Sequence, residues 1–311
     1  MTITDEQAIE LYRVMVSIRS FENGVKELMK KGRITHVSLS AGGEAVAAGV
    51  CANLGPEDQI GSTHRPLGHL VAKGADLKKM MAEIAGKVTG SNKGKGGAYH
   101  IFDPDVGALG ANGIVGGSVP MCAGYALSNQ LRGDGKVAVS LFGEGASNQG
   151  GVQETLNLAA CWNLPVVFVC ENSSPEVQVM LGHEIDYPQL SIENVGDRGS
   201  AYGIPGSTHD GWKVEEVYEI VRDAVERARR GEGPSLLEFK IHRLESDTET
   251  TYCPIKCYGD LLKERGILTK KLDSRIREEE AQKVKQAIDF AIGSPDPELK
   301  EAYTGIFVEE D

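Results

Sequence analysis

The sequence lacks any surplus of positive charge. Lys and Arg number 33 against 45 Asp and Glu, for a net charge of -12. Binding to nucleic acid or to an anionic membrane draws on a cationic surface, so neither is expected as a general function. Local basic residues can still meet a small anion. No apolar run is long enough to span a bilayer. The opening residues "MTITDEQAIELYRV" have neither the basic start nor the apolar core of a secretion signal, and Thr4 or Asp5 reads there as a helix cap. The expected compartment is the cytoplasm. Close-paired cysteine is scarce as well. Of Cys51, Cys122, Cys161, Cys170, Cys253 and Cys257, only the last two stand near each other, and a zinc site of the usual spacing needs a second pair. The other four sit in apolar contexts that suit small core residues. Internal repeats and low-complexity linkers are absent.

Glycine is what the chain has in quantity, with 38 residues clustered at 86–117 and 133–151. Such clusters between apolar strands let backbone approach a ligand closely. Ile9, Leu11, Val14, Met15, Ile18, Phe21, Val25 and Leu28 recur near helical spacing, which predicts an amphipathic helix over 5–31. Further helices are predicted over 43–54, 76–87, 120–133, 148–163, 211–233 and 272–292. Strands are predicted over 58–65, 136–145, 164–172 and 234–243. The order buried strand, helix, buried strand across 136–172 is the unit of a parallel sheet. The expected fold is α/β, a doubly wound, mainly parallel sheet. It forms one domain over 1–311, with a helical C-terminal extension from about 272.

Ligands of an open parallel sheet gather at the carboxyl ends of its strands. Glu144, in "LFGEGASNQGG" (141–151), and Asn172, in "VVFVCENSSPE" (166–176), both fall at such ends, joined by one helix. Adjacent strands would set them side by side. A carboxylate and amide oxygens suit a hard cation, and Mg²⁺ takes one or two protein ligands plus phosphate oxygens. Gly143 and Gly145 flank the acid, so N–H groups and the following helix start can face an anion. A second glycine–acid–glycine run, "GDG" at 133–135, has Asn163 at a similar gap. There Gly133 ends a helix and Lys136 opens a strand, which puts Asp134 at the amino edge, the wrong end for a ligand.

"GEG" at 143–145, with 26 residues between Gly145 and Asn172, resembles the thiamine-diphosphate motif, G-D-G, a gap, then N-N, whose aspartate and second asparagine are metal ligands. The stretches "GSTHRPLGH", "MMAEIAGKVTGSNKGKGGAYHI", "LGANGIVGGSVPMCAG", "NLAACWNLPVVFVCEN" and "AYGIPG" extend the likeness. Together, from about residue 8 to 310, they resemble the alpha subunit of the decarboxylating component of 2-oxo acid dehydrogenases, in its acetoin and pyruvate branches. The resemblance implies a thiamine-diphosphate-binding fold, with thiamine diphosphate and Mg²⁺ as cofactors. It puts Glu144, Ser173 and the Pro175 carbonyl at the metal, with Asn172 as the alternative ligand. His64 and Arg65 match an aromatic–arginine pair at the cofactor, the arginine on the diphosphate. Gly113 and Val115 match backbone contacts to the aminopyrimidine ring. Gly143, Gly145 and Ala146 join Glu144 around the diphosphate. It also implies a beta subunit in an α2β2 assembly, needed for activity, and a lipoyl acyltransferase as a further candidate partner.

Departures from the family pattern cluster at this site. The aspartate is Glu144, one methylene longer, and the second asparagine is Ser173, one group shorter, which could compensate. Family histidines are replaced by Leu67 and by Ser38, and "KIHRLESDTET" (240–250) lacks a third, since His242 sits at an aromatic position. Neutral-pH proton transfer favours histidine. No catalytic group is assigned; His64 and His183 are the candidates. The leading expectation is a heteromeric enzyme that cleaves the bond next to the carbonyl of a 2-oxo acid or acyloin and passes the fragment on. The alternatives are a catalytically altered or non-catalytic paralogue that keeps fold and interface, and the first half of a split transketolase.

Overall fold

The computed structural model describes residues 3–35, 37–173, 190–244 and 252–305. Six parallel strands form one sheet: β1 (Gln59–Ser62), β2 (Ala108–Ala111), β3 (Ala138–Gly143), β4 (Val166–Asn172), β5 (Gly206–Asp210) and β6 (Ser235–Lys240), in the order β2-β1-β3-β4-β6-β5. The sheet is all parallel, and helices cover both faces, as a doubly wound fold requires. The strands at its centre are nearly continuous apolar runs because both of their faces are covered: every residue of "VVFVCEN" is buried. Pairing of Gly143 with Glu171 brings the ends of β3 and β4 level.

The helices are α1 (Asp5–Lys30), α2 (Glu44–Cys51), α3 (Leu67–Lys73), α4 (Leu77–Ile84), α5 (Ser118–Arg132), α6 (Gly150–Trp162), α7 (Val214–Arg229), α8 (Pro254–Glu264) and α9 (Lys270–Gly293). Thr4 starts α1 with a capping box, its hydroxyl accepting from Gln7 N–H while the Gln7 side chain accepts from Thr4 N–H. The periodic apolar residues then turn inward, with Phe21, Val25 and Leu28 in the core. One face of the sheet packs on α1, α2, α3, α4 and α7, through residues such as Val46, Leu70, Met81 and Val221. The other packs on α5 and α6 through Val119, Cys122, Leu156 and Ala159. The C-terminal helix α9 lies along α4 and α1, with Ile276, Val284, Ala287 and Ala291 buried, so it closes a core.

Two strands and two helices go beyond the sequence expectation. Edge strands β2 ("ALGA") and β5 ("GSTHD") lack the β-branched apolar runs that mark a central strand. They exist because their inner neighbours offer unpaired backbone. Helix α3 spans seven residues, too few to show a period, and α8 follows residues 245–251, which lie outside the description. No helix among the described residues is long and apolar enough to cross a membrane.

Candidate functional site

Five strand ends converge on one cavity of about 270 Å³. Residues 62–65 lie at the end of β1, Asn112, Ile114, Val115 and Gly116 after β2, residues 142–146 at the end of β3, Glu171 and Ser173 at the end of β4, and Arg243 beyond β6, with Ser118 at the start of α5. The chain leaves β1 for β2 on one side and returns to β3 on the other, so the cavity sits where the winding reverses. That crevice is where a doubly wound sheet binds ligands. The "GDG" run lies elsewhere: Gly133 caps α5 in the left-handed region, and the Asp134 carboxylate accepts from Lys136 N–H in the turn before β3.

Glu144 and Ser173 meet at this place. The Ser173 N–H donates to Glu144 Oε2 at 3.3 Å, and both residues line the cavity. Glu144 opens a tight 3₁₀ turn over Glu144–Asn148 that leads into α6. The turn is fastened twice. Ser147 Oγ donates to the Glu144 carbonyl at 2.6 Å, and the Arg198 guanidinium donates to Ser147 Oγ at 3.0 Å and to Asn148 Oδ1 at 2.9 Å. Gly143, Gly145 and Ala146 line the cavity beside the acid.

Asn172 is directed elsewhere. Strand pleating turns it to the opposite face from Glu171, where its amide donates to Glu238 Oε1 at 2.6 Å. Glu238 also accepts from Gly196 N–H and the Thr208 hydroxyl, which fixes Asn172 in a buried network. It does not join Glu144, so the alternative ligand is not brought to the acid. Pro175 and His183 lie outside the described residues.

On the other wall, Arg65 donates to the Leu39 carbonyl at 2.7 Å and lines the cavity beside His64. Burial, and then the like charge of Arg243, lower the Arg65 pKa below its ordinary value. His64 stands at the mouth with its ring 6.5 Å from that of Tyr99. Partial burial and then the charges of Arg65 and Arg243 push its pKa below its ordinary value, which favours the neutral imidazole. Val115 is exposed on the cavity wall, while Gly113 lies just outside it, against the His100 imidazole. Their loop is shaped by Asn112, whose Oδ1 accepts from Ile114 N–H at 2.8 Å.

Packing accounts for one of the missing histidines. Leu67 is fully buried in the core and presents no functional group. Ser38 Oγ lies 3.5 Å from the Tyr99 hydroxyl. Sequence reasoning missed a buried chain beneath the floor. Ser62 Oγ is 2.7 Å from His69 Nδ1, and His69 Nε2 is 3.2 Å from Glu171 Oε1. Burial pushes the Glu171 carboxyl up, but His69, Arg243 and Arg65 outweigh it and hold the carboxyl below its ordinary value. The signal for Glu171 was the alternation of β4, which sends residues 167, 169 and 171 to one face.

This donor set suits a diphosphate held through a divalent cation: one carboxylate facing a serine, two guanidinium groups and a short turn at a strand end. A family model for the dehydrogenase E1 component matches residues 12–300. The chain belongs to the dehydrogenase E1 component family, and membership implies thiamine-diphosphate dependence. Among its relatives is the alpha subunit of the acetoin:2,6-dichlorophenolindophenol oxidoreductase of Bacillus subtilis (strain 168). The two are 43% identical, over 99% of this chain and 96% of that protein. The subunit of the same name from Cupriavidus necator is 38% identical, over 99% of this chain and 96% of its own. The pyruvate dehydrogenase E1 component subunit alpha of Zymomonas mobilis is 36% identical, over 97% and 89%.

Proposed function

We propose that this chain is the diphosphate- and metal-holding alpha subunit of a thiamine-diphosphate-dependent oxidoreductase. It acts with a beta subunit on a 2-oxo acid or an acyloin, cleaves the bond next to the carbonyl and passes the acyl fragment to an acceptor. The observation that carries the reading is the meeting of Glu144 and Ser173 across adjacent strand ends in the cavity that also holds Arg65. Glu144, the Ser173 hydroxyl and the Pro175 carbonyl would hold Mg²⁺. Arg65 and the N–H groups of Gly145 and Ala146 would hold the diphosphate, and Gly113 and Val115 the aminopyrimidine. When bound, thiamine diphosphate supplies the carbanion chemistry. The chain's own contribution is to anchor the charged end, orient the ring and offer neutral His64 for proton transfer. An α2β2 assembly, a lipoyl acyltransferase as acceptor and a cytoplasmic location belong to the same reading, which the identity to acetoin and pyruvate enzyme subunits supports.

Calorimetric titration of the chain, co-purified with its beta-type partner, against thiamine diphosphate and Mg²⁺ tests this. Saturable binding that requires Mg²⁺ is expected. No binding at millimolar cofactor would refute the catalytic reading and leave a paralogue that keeps only fold and interface. Turnover of pyruvate against acetoin, with an artificial electron acceptor, then separates the substrate classes.

A further inference from the structure

We propose that Arg243 is a second cationic anchor for the diphosphate, standing in for the histidine that the loop after β6 lacks. The proposal rests on the cofactor reading above. Arg243 reaches the cavity by continuing the alternation of β6. Leu237, Phe239 and Ile241 point to one face of the sheet, and residue 243 follows at the same period. Its backbone is fixed on both sides, because Ile241 N–H donates to the Asn172 carbonyl at 2.8 Å and Leu244 N–H to the Ala41 carbonyl at 3.1 Å. Gly42, at φ 99°, packs so close that a Cβ there would overlap the His242 carbonyl. The position is therefore a built one: the "AGG" turn of residues 41–43 holds the Arg243 backbone, and Arg243 lines the cavity that Arg65 also lines.

The guanidinium has work left to do. Arg65 already donates to the Leu39 carbonyl, whereas Arg243 forms no hydrogen bond or ion pair among the described residues. Residues 245–250, "ESDTET", contain no histidine, so that loop offers no other cation. The like charge of Arg243 is among the causes that hold Arg65 and His64 below their ordinary pKa values, which places it close to both. Two guanidinium groups line the cavity with Glu144 and Glu171; with a divalent cation on Glu144 they suit an oxyanion that carries more than one charge, and a diphosphate has that form.

The test uses the chain with its beta-type partner and measures thiamine-diphosphate affinity, in Mg²⁺, for wild type, Arg243→Gln and Arg243→Lys. The glutamine variant is expected to weaken binding at least about tenfold, the scale of one lost charge-assisted hydrogen bond. The lysine variant keeps the charge without the fork and should recover part of the loss. Thiamine without phosphates should bind all three alike. Glutamine binding within twofold of wild type would overturn the proposal. So would intact cofactor affinity with a raised KM for pyruvate but not for neutral acetoin, which assigns the guanidinium to a substrate carboxylate. Failure of wild type itself to bind cofactor would sink the reading beneath it. A lysine variant as weak as glutamine, with both melting far below wild type, would mark a structural role and also overturn the proposal.

Discussion

Glu83 is a carboxylate of α4 with no solvent exposure, and it fastens a whole glycine-rich loop. Its Oε2 accepts from Asn92 N–H at 2.7 Å and Gly94 N–H at 2.9 Å, and its Oε1 from Gly96 N–H at 2.7 Å and Gly97 N–H at 3.2 Å. Glu83→Gln keeps the shape but replaces one acceptor oxygen with an NH₂ group. Two N–H donors of the loop then face a donor. A hydrogen bond to a charged group contributes about 1.5–3 kcal/mol, so two losses come to about 3–6 kcal/mol. Domain stability is about 5–15 kcal/mol in total, which makes this a large fraction. The loop can escape part of the cost by detaching, so the global loss is capped by the free energy of local opening. Two assays read the two parts: urea unfolding followed by circular dichroism, and limited trypsin digestion. Lys93 and Lys95 lie within the loop, so the variant should be cut there faster than wild type. The same loop leads to Tyr99, whose ring faces His64, and to His100 beside Gly113, so cofactor affinity should fall with loop opening. A stability loss under about 1 kcal/mol with unchanged cleavage at Lys93 and Lys95 would refute the assignment of four working hydrogen bonds.

Three further outcomes follow from other contacts. If Glu144 and Ser173 compensate in length, Glu144→Asp and Ser173→Asn each weaken Mg²⁺-dependent cofactor binding, while the double variant recovers toward wild type; simple additivity of the measured affinities would exclude compensation. Arg198→Ala frees the turn after Glu144 and should raise the cofactor Kd about tenfold with little change in melting temperature, since the lost bonds join the turn and not the core; unchanged affinity by calorimetry would remove its positioning role. Asp273 joins α9 to α1 and α8: it accepts from Tyr12 Oη at 2.8 Å and pairs with Lys263 at 3.0 Å. Burial pushes its carboxyl up, but Lys263, Tyr12 and Arg277 outweigh burial and hold it below 3.8. Its stabilisation is therefore fully present above about pH 3.8 and is lost as pH falls through the lower folded value, and urea midpoints against pH should fall more steeply for wild type than for Asp273→Asn below that point. Parallel slopes would show that Asp273 gains nothing on folding.

The central sheet was readable because β3, β4 and β6 are buried on both faces and so appear as apolar runs. The edge strands were not, because "ALGA" and "GSTHD" take their conformation from neighbours. The same division runs through the site. Glu144 and Ser173 were legible as strand ends with a glycine turn, a local signal. Glu171, His69 and Ser62 were not, because their link joins β4, α3 and β1 across the sheet, and only the fold brings residues 62, 69 and 171 together. The missing histidines also change meaning once placed. Leu67 faces the core beneath the site, so its position in this chain gives up chemistry for packing on Val37, Leu70 and their neighbours. Arg243 was unremarked because nothing in "KIHRLESDTET" says which way residue 243 points; the register of β6 and the turn at Gly42 decide that. The divergence at the site is thus not a uniform loss. Leu67 replaces one lost histidine by apolar packing and Ser38 replaces another beside Tyr99, while Arg243 brings a guanidinium to the cavity. Arg243 stands near enough to Arg65 to help hold the Arg65 pKa below its ordinary value. Glu171, on the same cavity, and Glu22 offset part of that repulsion, and a diphosphate would offset more of it.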